Sequence, residues 1–269
     1  MGVYGTNLNK KTKNVIEILE GHPLIDRIMY HHSIGEIMGK ECSSFDKLND
    51  AGLDFVMAFG GDGTILNLLQ NTEQNVLGVN TGRLGFLTSV DLKDVEGALH
   101  NYAQGRFFVD ERIKIKTILN GEEIVECTNE AVVHTDKVAK IRDFEVHQGD
   151  SKLDRFRADG VIVATPTGST CYSMSSGGPI LHPSVDAFVV VPISPFKLST
   201  KPYVVPVDQE IQVVLTEKRK QCLMVMDGQK EVKVDHHDDI RFTLGDTRAR
   251  FIVFDKDFYA RVRKKLAGR

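Results

Sequence analysis

The chain has 269 residues, of which 41% are hydrophobic and 26% charged, and its formal net charge is −3. That length suits one large domain or two modest ones, and the composition fits a folded protein with a core. The charge gives no global basic field for nucleic acid or an anionic membrane, and no apolar run has the length of a membrane-spanning helix.

The opening residues, MGVYGTNLNKKTKNV, lack an apolar h-region, so no signal peptide is expected. KTKNVIEILEG then places Val15, Ile18 and Leu19 on one helical face and stops at Gly21, a C-cap residue. FVMAF (55–59) is a continuous apolar run of strand length, as for a strand covered on both faces. TILNLLQ follows as a helix, VLGVN (76–80) as a strand and DLKDVEGALHNYAQG (91–105) as a helix. Strand and helix in alternation imply a parallel sheet with crossover helices.

Near residue 110 the period becomes two. RIKIKTIL (112–119) alternates, Asn120-Gly121 signals a hairpin, and EEIVECTNEAVVHT continues as the partner strand. IRDFEVHQ, VIVAT, EIQVVLT, QCLMVMDG, KEVKVD and DIRFTLG also read as strands, and only the stretch after Thr167 has helical character. The last segment, DKDFYARVRKKL, repeats Phe258, Val262 and Leu266 every four residues and ends in basic residues that suit the helix dipole. The expected fold is therefore α/β plus all-β. An N-terminal parallel-sheet α/β domain (1–108) is completed by 252–269, whose helix packs back on it. A C-terminal β-sandwich-like domain covers 109–251, with the hinge near 105–112.

Cys42, Cys127, Cys171 and Cys222 are far apart and form no CxxC pair, so neither a zinc knuckle nor a disulfide framework is indicated, and a reducing cytoplasm is expected. DHHDD (235–239) and His31-His32 read as solvated turn or strand-edge residues, because metal ligands must converge in space. KKTK (10–13) and EKRK (217–220) read as solvated faces.

The chemistry concentrates in four stretches. In GGDG (60–63), glycines sit between a strand and a helix, where α/β sheets bind ligands and helix N-termini attract phosphate. Asp62 either caps that helix or acts on a ligand as base or cation holder. NTGRLGFL (80–87) is a second glycine loop at the same sheet edge, whose Arg83 either touches phosphate or structures the loop. Asn129-Glu130 lies inside an otherwise β-patterned run, CTNEAVVH, where two polar residues can be ordinary solvent-facing positions. FRADGVIVATPTGSTCYSMSSGGPILHP (156–183) gathers Arg157, Asp159, hydroxyls and glycines, and Thr167, Gly168, Ser169 and Thr170 would open a helix with free N–H groups.

Together these stretches resemble the NAD kinase family over nearly the whole chain and in the right order. GGDG alone is shared with diacylglycerol, sphingosine and phosphofructokinase-type kinases; the Asn-Glu pair and TPTGST are more specific. The resemblance implies phosphorylation of the adenosine-ribose 2′-hydroxyl of NAD by ATP or polyphosphate with a divalent metal, usually magnesium, for which no protein ligand is assigned. It implies Asp62 as the base beside Gly63, with Gly60, Gly61, Gly63 and Thr64 as the phosphate-donor loop. Asn129 and Glu130 would bind NAD, and Arg157 and Asp159 would lie near it. Thr170, Cys171, Tyr172, Ser173, Met174 and Ser175 would line the adenine and ribose pocket, with Ser194 and Gln229 as further contacts. Asn67 stands where relatives often carry arginine or histidine, and Cys171 where they carry alanine. The resemblance also implies a homodimer or homotetramer. The alternatives are a lipid kinase on the same GGDG core and a non-catalytic dinucleotide sensor.

Overall fold

The computed structural model describes residues 1–6, 8–82 and 85–266. It divides into two compact units, one of residues 1–111 with 249–269 and the other of residues 112–248.

The first unit is built on a parallel sheet in the order Cys42–Ser43, Met29–His31, Gly2–Gly5, Val56–Gly60, Val76–Asn80. Phe251 of the long strand Ile240–Val253 pairs in parallel with Val76 beyond it. The run Val56–Gly60 is buried throughout because its alternate side chains enter two cores. Met57 and Phe59 pack with Val3, Ile16 and Leu77, while Val56 and Ala58 pack with Tyr4, Ile65 and Val76. A period of two with both faces covered leaves no polar position, hence the unbroken apolar sequence.

Helix Lys10–Glu20 starts where the Asn9 side chain accepts the Thr12 amide at 2.9 Å. Its buried face is Thr12, Ile16 and Leu19, and Ile18 is 65% exposed, so the face expected from Val15, Ile18 and Leu19 is corrected by one position. Gly21 closes the helix at φ −102°, without left-handed backbone. In the last helix, Phe258–Leu266, Phe258 and Val262 are buried but Leu266 is 52% exposed. A four-residue repeat drifts about 40° per step, so the third member has turned roughly 80° off the face of the first.

The second unit contains an antiparallel six-stranded sheet in the order Tyr203–Pro206, Ala187–Ile193, Gly160–Ala164, Glu130–Thr135, Cys222–Met226, Lys230–Val234. Ser151–Ala158, Arg142–Gln148, Ile211–Leu215 and the first part of Ile240–Val253 form an antiparallel run of a second sheet. Phe144, Phe156, Val213 and Phe242 from that run share one core with Val133, Val161, Val190 and Met224 from the other, a sandwich arrangement. Asn120 and Gly121 both have positive φ, 53° and 84°, as a two-residue hairpin turn of the primed type requires.

Two expectations change here. The run 122–135 is two strands, not one: Glu122–Cys127 pairs with Phe108–Leu119, whereas Glu130–Thr135 belongs to the six-stranded sheet. The break falls at Thr128 and Asn129. The helix after Thr167 shrinks to a 3-10 turn, Gly168–Thr170, and a single turn, Tyr172–Ser175.

Candidate active site

In the first unit, the GGDG turn joins strand Val56–Gly60 to helix Asp62–Leu69. The turn does not use left-handed backbone, since Gly61 has φ −100°. Space is what matters: a Cβ on Gly60 would lie 2.3 Å from Thr64 Oγ1, whereas nothing stands within 4 Å of one on Gly61. Gly61 occupies the N-cap position without a side-chain cap, so Asp62 does not cap its own helix.

The Asp62 carboxylate instead reaches the second glycine loop. Oδ2 accepts the Phe86 amide at 2.8 Å and Oδ1 the Leu87 amide at 2.9 Å. Lys265 of the last helix places Nζ 3.4 Å from Oδ2. A Cβ on Gly85 would sit 2.0 Å from Oδ1, so only glycine lets the carboxylate lie on this loop. Asn80 anchors the loop by accepting the Gly82 amide at 3.0 Å. Arg83 lies outside the described residues.

Thr64 and Asn67 are turned inward. The Thr64 hydroxyl shares a hydrogen bond with that of Thr6 at 2.8 Å. Asn67, at the position where relatives often carry arginine or histidine, accepts the Tyr4 hydroxyl at Oδ1 at 2.5 Å. A cavity of roughly 410 Å³ adjoins the loop, walled by Gly85, Thr88, Asp91, Asp94, Arg261 and Lys264 among others.

In the second unit, Asn129 and Glu130 sit at the strand break. Three successive amides there, of Thr128, Asn129 and Glu130, donate to the buried Asp227 carboxylate at 2.7, 2.7 and 3.1 Å. These bonds take amides that would otherwise continue the ladder, which is why the chain changes sheet at this point. Asp227 itself has φ 50°, in the turn after Cys222–Met226. Burial, and then the charge of Asp227, push Glu130 up from the ordinary carboxylate range to about 8.

The polar tips at this break face unfilled valences. Asn129 Oδ1 and Glu130 Oε2 are buried without a hydrogen-bond partner, while Asn129 Nδ2 lies 3.4 Å from Cys171 Sγ; Ser173 Oγ, against Gly178, is likewise unpartnered. Buried polar atoms are normally satisfied, so the adjacent pair Asn129 and Glu130 marks a place for a polar ligand. A Cβ on Gly168 would meet Asn129 O at 2.2 Å and Glu130 Oε2 at 2.8 Å, so the TPTGST backbone presses directly on the pair. The expected free helix N-terminus is absent: Thr165 Oγ1 takes the Gly168 amide and Thr165 O the Ser169 amide. The Thr170 hydroxyl donates to Thr167 O. Tyr172 and Ser175 are exposed and Met174 half-buried.

Arg157, Asp159 and Ser194 form a second group at the other end of the same strand. Gly160 pairs with both His134 and Ile193, whereas Ala164 pairs with Glu130. The His134 end lies roughly 13 Å from Glu130 at the usual rise per residue. Arg157 sits over the Phe196 ring, 5.8 Å from its centroid. Burial raises the Tyr172 phenol, and the charges of Asp159 and then Glu130 add to the shift. Gln229 is exposed at the turn that carries Asp227.

Among the described residues, Asp235, His236 and His237 bring three donor atoms within 4.8 Å of one another. Two imidazoles and one carboxylate suit a transition metal better than magnesium. No helix among the described residues is long and apolar enough to cross a membrane.

Sequence inspection missed Gly85, Asp227 and Lys265. Asp227 read only as part of the strand run QCLMVMDG, and the basic last turn only as a dipole partner.

Residues 6–107 match the family model of the ATP-NAD kinase N-terminal domain, and residues 128–254 that of the C-terminal domain. An NAD kinase of Methanosarcina mazei is 41% identical over 256 residues, covering 94% of this chain and 88% of that protein. An NAD kinase of Thermoplasma volcanium is 39% identical over 219 residues, covering 81% and 80%. The crystal structure of an NAD kinase from Archaeoglobus fulgidus in complex with ATP matches with a TM-score of 0.77 at 30% identity, covering 99% of this chain and 96% of that one. Yeast NADH kinase complexed with NADH matches with a TM-score of 0.86 at 22% identity, covering 99% and 86%, a likeness of fold.

Proposed function

The chain belongs to the NAD kinase family, and on that premise we propose that it transfers a phosphoryl group to the adenosine-ribose 2′-hydroxyl of NAD, giving NADP. The observation that carries the reading is the Asp62 carboxylate, fixed by two backbone amides beside the glycine turn. A carboxylate held so rigidly, with side-chain exposure of 25%, is pre-aimed to take a proton.

In the proposed reaction the 2′-hydroxyl oxygen bonds to the terminal phosphorus of the donor. Its proton passes to Asp62 as the bond to the leaving phosphate breaks. The open side of Gly61, with Gly60 and Gly63, lets phosphate approach the backbone. Asn129 and Glu130 hold the dinucleotide through their unpartnered oxygens. Near pH 7 Glu130 is protonated, so it donates a hydrogen bond to the ligand. The exposed ring of Tyr172 gives the pocket its apolar wall. Cys171, Ser173, Met174, Ser175 and Thr170 shape it, and Gln229 adds a polar contact. Arg157, Asp159 and Ser194 recognise a more distant part of the ligand.

The donor is ATP or polyphosphate. A divalent cation, magnesium by its preference for phosphate and water oxygens, would neutralise donor charge, and it needs few protein ligands when phosphates supply them. The enzyme is proposed to act in the cytoplasm as a homodimer or homotetramer. Incubating the purified protein with NAD, magnesium and either donor tests the activity. Asp62→Asn should lose about 100- to 10,000-fold in turnover while binding NAD normally. Unchanged turnover would remove Asp62 from the role of base. The glycine turn it shares with lipid kinases makes diacylglycerol the control acceptor, and no phosphorylation of it is expected.

A further inference from the structure

We propose that Lys265 is a binding residue for the phosphate donor, resting on Asp62 until the donor's phosphate draws it away. The inference rests on the kinase reading above. The last helix, Phe258–Leu266, is held in the first unit by its buried Phe258 and Val262. Its final turn carries Arg263, Lys264 and Lys265.

Among the described residues, Lys265 meets Asp62 and Phe86. Its ammonium lies 3.4 Å from Asp62 Oδ2 and 3.4 Å from the centroid of the Phe86 ring. The same Phe86 donates its amide to Oδ2, so backbone, ring and ammonium converge on one carboxylate oxygen. With only 25% of its side chain exposed, Lys265 has given up much of its hydration. An ammonium–carboxylate bond of full strength is closer to 2.8 Å, so this pair is loose. An ammonium carries three donors and a terminal phosphate more negative charge than a carboxylate. A donor phosphate reaching the GGDG turn is therefore the better partner for Lys265.

The exchange has a chemical consequence. While Lys265 rests on Asp62, Oδ2 accepts both an amide and the ammonium. When the ammonium turns to phosphate, one acceptor position on Oδ2 opens for the attacking hydroxyl. Donor arrival would thus free the base. The cavity beside the loop is walled by Arg261 and Lys264 of the same helix together with Gly85, so this helix end brings two further cations to the loop on which Asp62 lies. A bridge serving only to pin the helix would have no dependence on the donor.

The test compares wild type with Lys265→Met, which keeps the stem on Phe86, and Lys265→Arg, which keeps the charge. Equilibrium dialysis with ATP and magnesium gives donor affinity without turnover, a second dialysis gives NAD affinity, and steady-state kinetics give KM and kcat. The expected result is ATP affinity weakened about tenfold or more in Lys265→Met, largely restored in Lys265→Arg, with NAD affinity unchanged. Equal ATP affinity in wild type and a folded Lys265→Met, or equal loss for ATP and NAD, would overturn the proposal. If wild type binds ATP in a Lys265-dependent way yet forms no NADP, the kinase reading fails and the donor contact stands.

Discussion

The environment of Glu130 makes a quantitative prediction about stability and pH. Burial and the neighbouring Asp227 move this carboxyl from the ordinary 4.5 to about 8. A raised folded-state value means the native protein keeps a proton that the unfolded chain has released. The resulting stability is complete below about pH 4.5, declines as the pH rises, and is gone above about pH 8. At roughly 1.4 kcal/mol per pH unit the whole shift corresponds to an upper bound of about 5 kcal/mol. Glu130 is only partly covered by protein surface, so water recovers some of that, and a change of about 2–4 kcal/mol is expected. Glu130→Gln removes the titration and keeps the shape. Urea unfolding of both proteins from pH 5.5 to 8.5 should show wild type losing stability relative to Glu130→Gln as the pH rises. Parallel curves across that range would refute a protonated Glu130.

Asp227→Ala strips the carboxylate from three amides and should destabilise by about 3 kcal/mol or more, since hydrogen bonds to charged groups are worth about 1.5–3 kcal/mol each; chemical denaturation measures it. Asp227→Asn also removes the charge that raises Glu130, so the pH dependence above should shift toward lower pH in the same titration. Gly85→Ala drives a methyl against Asp62 Oδ1 and should cut NADP formation about 100-fold through misplacement of the carboxylate, with NAD affinity retained. A wild-type rate in Gly85→Ala would mean that Asp62 has no need of that loop.

Much of the frame was legible because local patterns had local causes. The run 55–59 announced a strand covered on both faces, and Met57 and Val56 do enter different cores. Asn120-Gly121 announced a primed turn through its demand for positive φ. The helix faces were less legible, because adjacent apolar residues such as Ile18 and Leu19 give a spread of about 100° to choose from, and only packing selects Leu19. Short strands such as Gly2–Gly5 gave no periodic signal, and their identity comes from the parallel partner Val56–Gly60.

The candidate site divides in the same way. GGDG, Asn129-Glu130 and TPTGST could be read as motifs, but the groups that fix them are distant in sequence. Asp62 is held by loop amides 24 and 25 residues away and meets a lysine 203 residues away. Asp227 clamps amides 97 to 99 residues before it. Contacts of that separation leave no trace in a window of sequence. What Asp62 and Asp227 share is a carboxylate satisfied by backbone N–H groups, whose partners depend on chain geometry and not on side-chain identity. That is why the sequence could suggest a role for Asp62 without the groups that hold it, and suggested none for Asp227.

The most direct measurement is the position of the transferred phosphate. Purified protein, NAD, magnesium and ATP or polyphosphate should yield a product whose phosphorus correlates with the adenosine-ribose H2′ in a two-dimensional phosphorus–proton spectrum, and Asp62→Asn should yield almost none. A phosphate on any other hydroxyl, or no phosphorylated dinucleotide with either donor, would contradict the account.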